Sequence, residues 1–88
     1  GTLLAGEAAR YQVQARAGDR VTVQMTGTGD ADLYARLGDS VDAAHWDCRP
    51  YAPDAQETCT LVARDAGPLS LLVLGYSARA TFHLRTHR

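Results

Sequence analysis

The feature that most constrains this chain is a two-residue alternation of apolar and polar side chains that recurs along most of its length. Ala9, Tyr11, Val13 and Ala15 alternate with Arg10, Gln12, Gln14 and Arg16. Successive side chains of a β-strand point to opposite faces, so a run of this kind makes a strand with one buried and one solvated face. Val21, Val23 and Met25 repeat the pattern against Arg20, Thr22, Gln24 and Thr26, after the turn signal Ala17-Gly18-Asp19. The two runs read as a hairpin.

After Gly27-Thr28-Gly29-Asp30, Leu33, Ala35 and Leu37 face one way. An irregular stretch follows from Gly38 to about Ala44, and Thr58 to Val62 reads as the next strand. Leu69 to Leu74 is apolar at every position but Ser70, as a central strand covered on both sides would be. The last run sets Ala80, Phe82, Leu84 and Thr86 against Thr81, His83, Arg85 and His87. No stretch carries the 3.6-residue period of an amphipathic helix. The pattern predicts an all-β protein, an antiparallel sandwich of about six to eight short strands, as one domain over residues 1–88.

A chain of 88 residues buries only about 60–65% of the surface its unfolded form exposes, so its core is thin and a covalent constraint matters. Cys48 and Cys59 supply one. Structural zinc takes four ligands, usually with closely paired cysteines, and even with His45 as a third ligand this chain lacks the second pair. A C-x-x-C redox motif is absent. The remaining reading is a disulfide that closes a short loop, stabilising by roughly 3 kcal/mol in the chain-entropy model. A disulfide of this kind belongs to an oxidising compartment, extracellular or periplasmic, and of these a secreted, extracellular protein is expected. The first residues carry no leader pattern of a charged then apolar segment, so any leader is expected on a larger precursor.

The net charge is −1, and the nine basic residues, all arginine, are scattered among ten acids. No basic stripe is visible in the sequence, which argues against nucleic acid and against a polybasic membrane anchor. No apolar run approaches the ~18 residues of a membrane-spanning helix.

Three motifs come close to known chemistry. Asp30-Ala31-Asp32 resembles the opening of a calcium loop, but Ala35 and Val41 stand where an EF-hand needs glycine and glutamate. Calcium at Asp30 and Asp32 would need ligands from a distant loop such as Asp39, Asp42 or Asp47. The alternative is a turn-forming Asp30, with Asp32 paired to an arginine such as Arg49. Gly75-Tyr76-Ser77-Ala78-Arg79 has arginine in place of the second glycine of a nucleophile elbow, and a strand follows it rather than a helix. His83 and His87 share a face with Arg85 between them, and a cation there opposes a metal. No catalytic residue is assigned.

The aromatic residues outside the strands are the stronger lead. Trp46, Tyr51 and Tyr76 fall in turns or loops, where scaffold proteins carry binding residues. Such rings stack on sugars or lie against extended peptides. The competing reading is structural, with Trp46 over the disulfide and the tyrosines sealing the ends of the sandwich.

An ordered set of short motifs resembles the bacterial pre-peptidase C-terminal domain. It comprises Gly1-Thr2-Leu3, Ala5-Gly6-Glu7, the Tyr11 strand and Ala17-Gly18. It continues with Gly29-Asp30-Ala31-Asp32-Leu33-Tyr34, Trp46-Asp47-Cys48-Arg49-Pro50-Tyr51, Glu57-Thr58-Cys59 and Gly75-Tyr76-Ser77-Ala78. The resemblance implies a jelly-roll-like sandwich with a disulfide, carried as a non-catalytic appendage of a secreted metallo- or serine peptidase. It implies two alternative roles: holding an insoluble substrate, collagen-like protein or polysaccharide, or serving as a structural and secretion-assisting cap on the parent catalytic domain, kept or removed on maturation. The expected contact residues are Trp46, Tyr51, Tyr76 and Tyr34, with Arg49 adding hydrogen bonds. Two departures stand out. Ala66-Gly67-Pro68-Leu69-Ser70-Leu71 lacks the paired tyrosines usual in the family, and the acidic segment that supplies calcium ligands in collagen-binding relatives is not in this chain. Calcium is therefore not carried over from those relatives; no cofactor is expected, and calcium at Asp30 and Asp32 stays an alternative.

Overall fold

The computed structural model describes residues 1–50, 56–76 and 78–87. They form seven strands: β1 (Thr2–Leu4), β2 (Ala8–Ala15), β3 (Arg20–Thr28), β4 (Ala31–Leu37), β5 (Glu57–Val62), β6 (Gly67–Gly75) and β7 (Arg79–His87). Two antiparallel sheets, ordered β1-β7-β3-β5 and β2-β6-β4, lie face to face.

The alternation places the core. Val21, Val23 and Met25 from β3, Ala80 and Phe82 from β7 and Cys59 from β5 meet Leu33 and Ala35 from β4 and Leu69, Leu71 and Val73 from β6. All of these are buried, and burial of a single aliphatic side chain is worth about 1.5–3 kcal/mol.

The expected hairpin is not formed. β2 pairs with β6, whereas β3 pairs with β5 and β7. Alternation says which face of a strand is buried but not which strand lies beside it. Here the buried faces of β2 and β3 look at each other across the core. The Ala17-Gly18-Asp19 turn is therefore a corner between sheets, and the Gly18 N–H donates to the Ala63 carbonyl while the Ala63 N–H donates to Asp19. Gly18 has φ +88°, a left-handed conformation that a residue with a side chain adopts at a cost.

β6 is the central strand of its sheet, as its unbroken apolar run predicts. Leu71 and Val73 face the sandwich core, while Leu72 and Leu74 face outward into a second, smaller cluster with Tyr34 and Val41. Val41 arrives on the stretch that follows β4, so the loop from Gly38 to Asp47 covers the outside of the three-stranded sheet. Three side chains of the sheet help to hold it there. The Arg10 guanidinium donates to the Val41 carbonyl (2.6 Å), the Gln12 amide donates to the Asp39 carbonyl (3.1 Å), and the Ser70 hydroxyl donates to the Gly38 carbonyl (2.6 Å).

A candidate binding face on the three-stranded sheet

β4 organises this face. Its inward residues Ala31, Leu33 and Ala35 join the core, which turns Asp32 and Tyr34 outward. On the far side of the covering loop, Cys48 forms a bridge with Ala35, each N–H donating to the other's carbonyl at 2.9 Å. Asp47 adds a carboxylate that accepts from the Leu37 N–H at 2.8 Å.

Cys48 and Cys59 are disulfide-bonded, with their Cα atoms 6.0 Å apart. Because β4 edges one sheet and β5 edges the other, the bond fastens the loop to both sheets at once. The same anchor fixes Trp46 and Arg49, which flank the Asp47–Cys48 pair.

Arg49 Nη2 donates to Asp32 Oδ2 at 3.1 Å, the pairing anticipated for Asp32. The guanidinium also lies over the Tyr34 ring, 5.0 Å from its centroid, a cation–π contact. The Tyr34 hydroxyl is 3.0 Å from that of Tyr76. Burial pushes the Tyr34 phenol up to about 12, helped by its bond to Tyr76, so it stays protonated through the whole physiological range. Asp32, Arg49, Tyr34 and Tyr76 thus form one continuous polar chain across the sheet.

The expected contact residues divide into two groups. Tyr34 is only 2% exposed, so its ring supports the surface rather than forming it. The covering loop reaches it through Val41, an effect no local period in the sequence announces. Arg49 is committed to Asp32 and Tyr34. By contrast, Trp46 is 37% and Tyr76 50% exposed. Tyr76 follows the end of β6 that pairs with Ala31, and Trp46 precedes the bridge to Ala35. Their anchoring points are about 13 Å apart along β4, at ~3.3 Å per residue. Tyr51 and Ser77 lie outside the described residues.

Asp42 shapes the loop. Its carboxylate accepts from the Ala44 and His45 N–H groups at 2.8 and 2.7 Å and contacts the His45 ring. The Ala44 N–H and the His45 side chain hold it below its usual pKa. Among the described residues no three metal-type side chains converge. A cation at Asp32 would have to compete with Arg49.

One carboxyl escaped the sequence reading. Glu57 is 4% exposed, on the inward side of β5, two residues before Cys59. Its Oε1 accepts from the Leu33 N–H at 2.6 Å, while its buried Oε2 has no hydrogen-bond partner among the described residues. Burial pushes its pKa up to about 7 against the Leu33 bond, with Asp32 adding repulsion. The signal was present, since Glu57, Cys59 and Leu61 share one parity in the strand.

The fold and face define a disulfide-stapled β-sandwich module that presents aromatic rings on a covered sheet. The chain belongs to the bacterial pre-peptidase C-terminal domain family, which residues 7–75 match. It is 47% identical over 73 residues to Alkaline serine exoprotease A of Vibrio alginolyticus, covering 82% of this chain and 14% of that protein. The Virulence metalloprotease of Vibrio anguillarum is 33% identical over 75 residues, covering 85% of this chain and 12% of that protein. The Zinc metalloprotease of Helicobacter pylori is 39% identical over 59 residues, or 67% and 23% of the respective chains. The chain therefore spans less than a quarter of the length of each of these relatives. No solved structure matches it.

Proposed function

We propose that this domain is a non-catalytic accessory module of a secreted bacterial peptidase, and that it holds insoluble protein or polysaccharide for its parent enzyme. The observation that carries the reading is the exposure of Trp46 and Tyr76 above a rigid support. Flat rings fixed by a disulfide-anchored loop and a tyrosine pair offer contact area with little conformational entropy left to lose. Family membership and protease relatives of both serine and metallo type support the parent being a peptidase, and the disulfide supports an extracellular setting.

A second reading has its own support. The internal Arg49–Asp32 pair and the buried Tyr34 suit a stabilising cap whose partner is the parent catalytic domain, removed or kept on maturation. The test is retention of the oxidised chain on insoluble collagen, chitin and cellulose, each with and without calcium. Retention on one polymer, lost in folded Trp46→Ala and Tyr76→Ala variants, is the expected result. Passage through all three, with both variants melting early, would replace it with the cap. A calcium-dependent gain abolished by Asp30→Asn would place the ion at Asp30 and Asp32.

A further inference from the structure

The outer face of the four-stranded sheet has a composition that the sequence conceals. The outward positions of β3 are Arg20, Thr22, Gln24, Thr26 and Thr28, and those of β7 are Arg79, Thr81, His83, Arg85 and His87. β5 adds Thr58, Thr60 and Val62, and β1 adds Thr2 and Leu4. Antiparallel register sets these in rows across the sheet. Thr60, Thr22 and His87 form one row, Thr58, Gln24 and Arg85 the next, and Thr26 with His83 a third.

No outward position on the four strands is acidic, although the chain has ten acids and a net charge of −1. Three arginines and two histidines, spread over sixty-eight positions of sequence from Arg20 to His87, come together on one plane. The opposite side of the sandwich holds Asp32, Asp39, Asp42 and Asp47 together with Arg10, Arg36 and Arg49. What sets the four-stranded face apart is therefore the lack of acids on its strands rather than a larger number of arginines, and a one-signed face attracts an anionic partner from a distance.

We propose that this face binds an anionic polysaccharide, a polymer carrying sulfate or carboxylate groups on hydroxyl-rich rings. Guanidinium groups pair with sulfate or carboxylate through paired N–H donors. The threonine hydroxyls and the Gln24 amide between them both donate and accept, which matches sugar hydroxyls. Among the described residues the face holds no Trp, Tyr or Phe ring, the larger platforms on which nucleic-acid bases stack. Leu4 and Val62 are confined to its two margins, so there is no apolar centre of the kind a protein partner needs. This site lies on the other sheet from Trp46 and Tyr76 and does not rest on the function proposed for them.

The test is chromatography of the oxidised 88-residue chain on immobilised heparin, with heparin fragments titrated in solution. The chain should be retained at low salt and released as salt rises. Arg20→Gln/Arg85→Gln should bind at least about tenfold more weakly, Arg85→Lys should fall between, and Trp46→Ala should elute with the wild type. All three arginine substitutions sit at exposed positions, and cooperative melting of Arg85→Lys keeps the test valid if the double variant unfolds. Passage of the wild type straight through, or co-elution of a folded arginine variant with it, would overturn the proposal. So would displacement by polyglutamate or single-stranded DNA at lower concentration than by heparin fragments.

Discussion

The two outer faces of the sandwich are built from the same alternating strands and end up opposite in character. The three-stranded sheet is roofed by the loop from Gly38 to Asp47, and Tyr34, Val41 and Leu72 make a second buried cluster beneath it. Among the described residues no such cover lies on the four-stranded sheet, and its threonine, glutamine, histidine and arginine side chains meet solvent. A sheet face becomes a site either by acquiring a support that holds a few rings in place, or by concentrating charge. The two sites proposed for this small domain take one route each.

The roof depends on the disulfide and on Arg49. Replacing Cys48 and Cys59 with serine should lower stability by about 3 kcal/mol, read as a drop in denaturant midpoint against the oxidised wild type. Arg49→Ala should cost about 1–2 kcal/mol, because it leaves the half-buried Asp32 carboxylate without its cation and uncovers the Tyr34 ring. The Arg49–Asp32 pair is partly solvated, which keeps the loss below that of a fully buried ion pair.

Glu57, buried between the sheets on the inward side of β5, makes stability depend on pH. Its folded pKa of about 7 lies above its ordinary value of 4.5, so the folded chain binds more protons than the unfolded chain between those limits. Stability from this group is then greatest below about pH 4.5 and declines as pH rises toward 7 and beyond. Melting temperature should fall between pH 5 and pH 8 in the wild type. Glu57→Gln, which retains an oxygen to accept from Leu33, should flatten that dependence and stabilise the alkaline side by on the order of 1 kcal/mol. A wild-type profile that rises over this range would contradict the assignment.

The smallest effect is expected on the unroofed sheet. Thr22 and Thr60 touch through their hydroxyls at 3.3 Å in full view of solvent. The Thr22→Ala/Thr60→Ala pair should change stability by no more than about 0.5 kcal/mol. A larger loss would mean that this face is structural rather than free for a ligand.

The strands themselves were legible because burial on one face forces alternation, and β6 was legible as central because it is buried on both. The hairpin between β2 and β3 was misread because two strands with matching alternation either pair side by side or face each other, and sequence pattern is the same in both. The Asp32–Arg49 pair could be anticipated from a carboxylate turned outward on a strand. The burial of Tyr34 could not, since it depends on an irregular loop folding back over the sheet. The basic face was invisible for a related reason: Arg20 and Arg85 come onto one face only through the register that sets β3 beside β7, where Arg85 lies opposite Gln24.

The proposed binding role rests on the Trp46 ring being exposed on a loop that the disulfide anchors. Trp46 is the only tryptophan in the chain, so its fluorescence reports on that position alone. The direct measurement is acrylamide quenching of the oxidised chain, free and then bound to the polymer that retains it. Efficient quenching in the free chain, suppressed on binding and left unchanged by Arg20→Gln/Arg85→Gln, is the predicted result. Weak quenching in the free chain, or quenching that binding leaves unaltered, would contradict the claim.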